Sequence, residues 1–195
     1  MISESGPELP QPQENQPRNS LRSFLVELLQ TVVLALVLYF LIDSVLARVR
    51  VENVSMEPTL QPGEFILVNK LAYRLGNVSN GDVVIFHYPL NPSEDYIKRV
   101  IGIPGDVVTV QNHQVTVNGT VLDEPYIMAP PNYNNTWTVP AGQIFVLGDN
   151  RNSSSDSHNW GFVPLENLVG KALVVYWPLD QMKILTHPNV VNAAN

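Results

Sequence analysis

Two side chains in this sequence can be combined into a reaction: Ser55, which opens Ser55-Met56-Glu57-Pro58-Thr59-Leu60, and Lys98, inside Asp95-Tyr96-Ile97-Lys98-Arg99-Val100-Ile101-Gly102. A serine hydroxyl is a weak nucleophile until a base takes its proton, and a desolvated lysine amine can be that base without a histidine. Bringing the amine from a pKa of about 10.4 to about 7 or 8 takes roughly 3–4 kcal/mol of differential interaction, which burial supplies. Apolar neighbours such as Met56 are candidates for the cover. Lys98 lies in an otherwise apolar strand, and alternation sets it on the face opposite Ile97 and Arg99, so one of the two basic side chains must face inward or into a cleft. Read singly, Ser55 is also explained as a turn serine and Lys98 as an edge lysine that blocks aggregation.

A third polar group follows in Gly148-Asp149-Asn150-Arg151-Asn152-Ser153-Ser154-Ser155-Asp156-Ser157-His158-Asn159-Trp160-Gly161. It is dense in hydrogen-bonding groups directly after an apolar run, so it can brace a site from behind by pairing Asp149 or Asp156 with Arg151 or Arg99. The plainer alternative is a serine-rich loop. Asp156 and His158 invite a serine-histidine-aspartate triad, but neighbours two residues apart rarely give its end-to-end geometry. His87, His113, His158 and His187 lack paired ligand spacing, and there is no cysteine, so neither metal nor cofactor is expected.

These residues need elements to hold them. Residues 1–22, with four prolines among Gln, Glu and Asn, read as a disordered tail. Residues 23–47 read as an anchor helix: the apolar run Phe24 to Leu46 would extend roughly 34 Å against a hydrocarbon thickness of about 30 Å. A buried core helix and a cleaved secretory signal ending near Val45-Leu46-Ala47 are the alternatives. Arg18 and Arg22 on one flank balance Arg48 and Arg50 on the other, so charge leaves the topology undecided.

From residue 48 to 195 short β-branched runs alternate with turns, the pattern of a mainly β domain. The runs are Glu64–Val68, Asp82–Phe86, Val107–Val110, Val115–Val117 before the hairpin pair Asn118-Gly119, Gln143–Leu147 and Ala172–Trp177. Residues 106–142 form a hairpin and loop excursion, with Pro125 to Pro140 an irregular surface segment. The net charge of −7 argues against nucleic acid as a partner.

Ser55-Met56 with Pro58-Thr59-Leu60, Gly81-Asp82-Val83-Val84, Tyr96-Ile97-Lys98-Arg99-Val100-Ile101-Gly102 with Pro104-Gly105-Asp106, and Gly148-Asp149-Asn150-Arg151 with Ser154, Asp156, Ser157 and Trp160-Gly161-Phe162-Val163-Pro164 closely resemble type I signal peptidases. These are membrane-bound serine proteases that remove signal peptides from exported proteins. The resemblance runs from the helix to about Gly170. It implies a single transmembrane helix followed by an antiparallel β domain with a coiled, partly barrel-like sheet. It implies Ser55 as nucleophile, Lys98 as general base, and the Ser55 backbone N–H as oxyanion donor. Ser154 is implied to hydrogen-bond the lysine amine, and Met56, Arg99, Asp149, Arg151, Asp156 and Ser157 to support the site.

The implied substrates are preproteins carrying signal peptides, bound along an exposed edge strand and cut after small residues of the Ala-X-Ala type. The implied partners are the lipid bilayer and the secretion machinery, with the tail in the cytoplasm and the catalytic domain on the exported side of the cell membrane. Two positions depart from the family pattern. Asn53 stands where some members have a serine that donates to the oxyanion, so either its amide is the second donor or that donor is absent. His158 stands where an arginine is frequent, which weakens the expected salt bridge to Asp156. The rival readings are a dedicated or self-processing serine-lysine protease and an inactive membrane-anchored scaffold.

Overall fold

In the computed structural model, residues 20–185 are described. The tail expected over residues 1–22 lies outside them except for its last three positions, which are helical, and His187 also lies outside. The chain divides between Leu41 and Ile42 into two compact units.

The N-terminal helix, α1 (Ser20–Val45), contains a 25-residue stretch, Leu21–Val45, long and apolar enough to cross a membrane. Its apolar side chains are exposed along the whole stretch, and nothing among the described residues covers them. A helix apolar on every side suits a lipid surround or a protein core. The helix ends one residue before the apolar run does: Leu46 already begins β1 (Leu46–Arg50).

After β1 come β2 (Phe65–Asn69), the short helix α2 (Ala72–Leu75), β3 (Val83–Tyr88), β4 (Asn91–Gly102), β5 (Val107–Gln111), β6 (Gln114–Val117), β7 (Thr120–Val121), β8 (Asn135–Thr138) and β9 (Gln143–Leu147). Then follow α3 (Ser157–Trp160), β10 (Val163–Pro164), β11 (Leu168–Trp177) and β12 (Lys183–Ile184). The larger sheet has the order β1-β2-β11-β3-β4-β9-β10, with β12 added on β11, and the smaller one β7-β6-β5-β8. The pairings are antiparallel, and neither path closes into a barrel.

Strand β3 shows how the core is divided. Val83 and Ile85 join one apolar cluster, with Met56, Leu60, Ile66 and Val68, whereas Val84 and Phe86 join a second, with Val100, Ile144 and Val146. Alternate side chains on a strand point to opposite faces, so a strand apolar at every position must be covered on both. Among the described residues the smaller sheet has one apolar face. Val108, Val110, Val115 and Val117 pack with Ile101, Phe145 and Leu147 of the larger sheet, while Thr109 and Thr116 alternate between them on the more open side.

The hairpin signal at Asn118-Gly119 matches the structure: both residues have positive φ, 52° and 81°, and they join β6 to β7. Residues 125–140 are less irregular than the Pro and Asn content suggests. Asn135–Thr138 forms β8, paired with β5 from Val107↔Thr138 to Val110↔Asn135. Its pattern was hidden because only Trp137 packs on the apolar cluster, so no clear alternation marks it.

Candidate active site

Two open strand edges frame the site. β1 pairs only with β2, and β4 pairs with β9 only from Arg99 onward, which leaves one edge of Asn91 to Lys98 free. The segment after β1 and the Asp95 to Lys98 stretch of β4 line one cleft of about 560 Å³, together with Ser55, Met56, Ser153 and Ser155.

Ser55 sits in a single 3₁₀ turn, Val54–Met56, whose preceding residue Asn53 has extended backbone and no side-chain cap bond. Met56 anchors this turn: it is 1% exposed in the first apolar cluster, so the residue beside Ser55 cannot drift. Asn150 holds the turn from the other side, its backbone N–H donating to the Ser55 carbonyl at 3.1 Å and its side-chain amide to the Val54 carbonyl at 3.2 Å.

Lys98 is 4% exposed, and its Nζ lies 2.8 Å from Ser55 Oγ and 3.0 Å from the Ile97 carbonyl. Register pairs Lys98 with Val84 and Tyr96 with Phe86, so the amine shares a face with the second apolar cluster, 5.2 Å from the centre of the Tyr96 ring. Burial lowers its pKa from 10.5 to about 8, against a smaller upward pull from Asp156 and then Asp149. The penalty on the charged form is roughly 3 kcal/mol, comparable to what one fully buried leucine contributes, so the fold carries it without exceptional stability elsewhere.

The sequence required one of Lys98 and Arg99 to face inward, and both are buried. The Arg99 guanidinium donates to both carboxylate oxygens of Asp149, at 2.8 and 2.7 Å, and to the Gly81 carbonyl at 3.0 Å. It also lies 4.0 Å from the centre of the Tyr126 ring. Arg151, expected to pair with an aspartate of its own run, instead reaches Glu124 at 3.0 and 2.6 Å and the Gly148 carbonyl at 3.1 Å. No local pattern marks Glu124 or Tyr126, because their partners are brought to them only by the fold.

Asp156 is fully buried and caps α3, with its Oδ2 accepting from the Gly148 N–H at 2.9 Å and its Oδ1 from the His158 N–H at 3.2 Å. Ser157 Oγ accepts from the Val146 N–H at 3.0 Å and so ties α3 to β9. His158 still reaches Asp156, its Nδ1 lying 2.6 Å from Oδ1, since the imidazole turns back on its own cap. A histidine-aspartate pair therefore exists, but Ser55 is bonded to Lys98.

Ser154 departs from expectation. Its hydroxyl is buried and has no hydrogen-bond partner among the described residues, and the Ile97 carbonyl serves the lysine instead. The Ser154 side chain packs against Gly148, where a Cβ would overlap both Ser154 and the Ser55 carbonyl, which explains the glycine. Asn53 is exposed on the cleft lining. Among the described residues no group of three or more His, Asp or Glu is placed to hold a metal ion. The arrangement offers a nucleophile in contact with a base inclined to the neutral form, beside an edge that can receive an extended peptide.

The family model for signal peptidase, peptidase S26, matches residues 25–177. The chain is 43% identical over 180 residues to a probable signal peptidase I-2 of Synechocystis sp., an alignment covering 89% of this chain and 81% of the relative. It is 41% identical over 202 residues to signal peptidase I of Leptolyngbya laminosa, covering 96% and 98%. A solved signal peptidase I from Enterococcus faecalis aligns with a TM-score of 0.46 and 31% identity, over 49% of this chain and 96% of that one.

Proposed function

The chain belongs to the signal peptidase family, peptidase S26, and we propose that it is a membrane-anchored serine endopeptidase that cuts signal peptides from exported preproteins with Ser55 and Lys98. The observation that carries this reading is the 2.8 Å contact between Lys98 Nζ and Ser55 Oγ within a cleft. As a neutral amine, Lys98 accepts the Ser55 proton while Oγ bonds to the scissile carbonyl carbon. The oxyanion is met by the Ser55 backbone N–H and by the side-chain amide of Asn53, which caps nothing in its own turn. Collapse breaks the peptide bond, and the leaving amine takes its proton from Lys98. A water then gives a proton to Lys98 and attacks the acyl carbon, and as the ester bond breaks Lys98 returns that proton to Ser55 Oγ.

The substrate is proposed to lie extended along the free edge of β4, with small residues such as Ala set against Val51, Met56 and Ile97. The domain scheme is a tail over residues 1–22 in the cytoplasm, an anchor over 23–47 and a catalytic domain over 48–195 on the exported side. The exposed apolar helix supports the anchor, and the cleft that holds Ser55 and Lys98 supports the catalytic domain. Association with the secretion machinery belongs to the same proposal.

The test is cleavage of a preprotein in detergent by the full chain beside Lys98→Ala, with the cut located by mass spectrometry. The expected result is cleavage after a small residue by the wild type, with kcat/KM rising across an acid limb centred near 8, the pKa of Lys98. Lys98→Ala is expected to lose at least about 10³-fold in kcat. Activity retained in Lys98→Ala would refute the dyad.

A further inference from the structure

His158 does not line the cleft, yet two hydrogen bonds link it through Asp156 to Gly148, which packs behind Ser55. Its Nδ1 lies 2.6 Å from Asp156 Oδ1, its side chain is 16% exposed, and its ring stacks on Tyr133 at 4.1 Å with an interplanar angle of 7°. The other oxygen of Asp156 accepts from the Gly148 N–H at 2.9 Å. Gly148 in turn packs against Ser154 and the Ser55 carbonyl. The imidazole is thus linked through the Asp156 carboxylate to the wall behind Ser55.

The same carboxylate is electrostatically coupled to the base. Asp156 is fully buried, so its field is weakly screened, and of the two aspartates acting on Lys98 it has the larger effect. An arginine bonded to such a carboxylate would carry a charge at every pH, whereas a histidine does so only when protonated. The charged and titratable groups around the imidazole are Asp156 on its own segment and Tyr133 across the stack; Tyr133 itself senses Arg151 and Glu124.

We propose that His158 is a positioning residue for this reaction: through Asp156 it holds the Gly148 wall behind Ser55 and sets how much negative charge the Lys98 amine faces. This rests on the serine-lysine reading given above. A neutral imidazole steadies Asp156 by a hydrogen bond but leaves its charge in place, which favours the protonated amine. A permanent cation at residue 158 cancels that charge and releases the amine at lower pH.

The experiment is the pH dependence of kcat and KM for preprotein cleavage by the full chain in detergent, in His158→Ala, His158→Asn and His158→Arg. His158→Ala loses roughly tenfold in kcat with KM unchanged, because the residue does not line the cleft. His158→Asn keeps a neutral donor, restores kcat and leaves the acid limb at or above its wild-type position. His158→Arg restores kcat and moves the limb down by roughly half a pH unit. Should the arginine variant fail to fold, His158→Lys carries the same charge in a slimmer side chain and is expected to shift the limb the same way. Acid limbs that coincide in all variants, an upward shift with a cation, or wild-type kcat in His158→Ala would overturn the proposal. Failure of the parent reading looks different: Lys98→Ala would then cleave, or the wild type would show no acid limb.

Discussion

Lys98 and Arg99 are neighbours on β4, both are buried, and their charges are accommodated in opposite ways. Arg99 keeps its charge and is matched by the two oxygens of Asp149, whereas Lys98 has no ion-pair partner among the described residues and is pushed towards the neutral amine. One strand thus carries a paired cation on one face and an amine pushed towards neutrality on the other. The difference follows from chemistry as well as place, since a guanidinium cannot be deprotonated in a protein and an ammonium can.

Replacing Lys98 with Met is expected to stabilise the domain. The folded pKa, about 8, lies below the unfolded value, so between the two the unfolded chain binds more protons and stability rises with pH. The cost of Lys98 is therefore fully present below pH 8 and fades as pH approaches about 10.4. Thermal unfolding in detergent should show Lys98→Met more stable at pH 7 by about 1–3 kcal/mol, with the gap shrinking by pH 10. A gap independent of pH would mean that packing, not desolvation, accounts for it.

Asp149→Ala leaves the buried Arg99 guanidinium without its carboxylate and is expected to cost about 3–5 kcal/mol of stability. Combining it with Arg99→Met should recover a large part of that loss, because the unpaired charge is what is expensive. Additive losses in chemical denaturation of the double variant would contradict the pairing.

Gly148→Ala tests the wall behind Ser55. A Cβ there would come within 2.6 Å of the Ser154 Cβ and meet the Ser55 backbone, so the turn bearing Ser55 must shift. A displacement of about 1 Å is enough to cost roughly 10²-fold in rate. The expected result is a kcat loss of that order in a folded variant, and a fully active Gly148→Ala would show that the turn is free to move.

Much of this was legible in the chain because it is written in local pattern. Continuous apolarity from Phe24 to Leu46 marks a helix, alternation and Gly-Asp turns mark the central strands, and Asn118-Gly119 marks a hairpin whose positive φ values only such residues take easily. The motifs around Ser55 and Lys98 marked the two residues that meet. Other features were not legible. β1 begins inside the apolar run that reads as helix, and β8 lies in a segment of little alternation, so neither period is visible.

What the sequence determined by itself was the kind of elements, the residue types able to do chemistry, and the pairing of a serine with a lysine. The tertiary structure alone decided that both basic side chains of β4 are buried, and that Arg151 turns to Glu124, 27 residues away. It alone decided that Ser154 leaves the amine to a backbone carbonyl and that His158 closes on Asp156. The reason is physical. Periodicity and turn chemistry depend on residues a few positions apart, whereas burial and charge pairing depend on groups that meet only when distant strands are packed together.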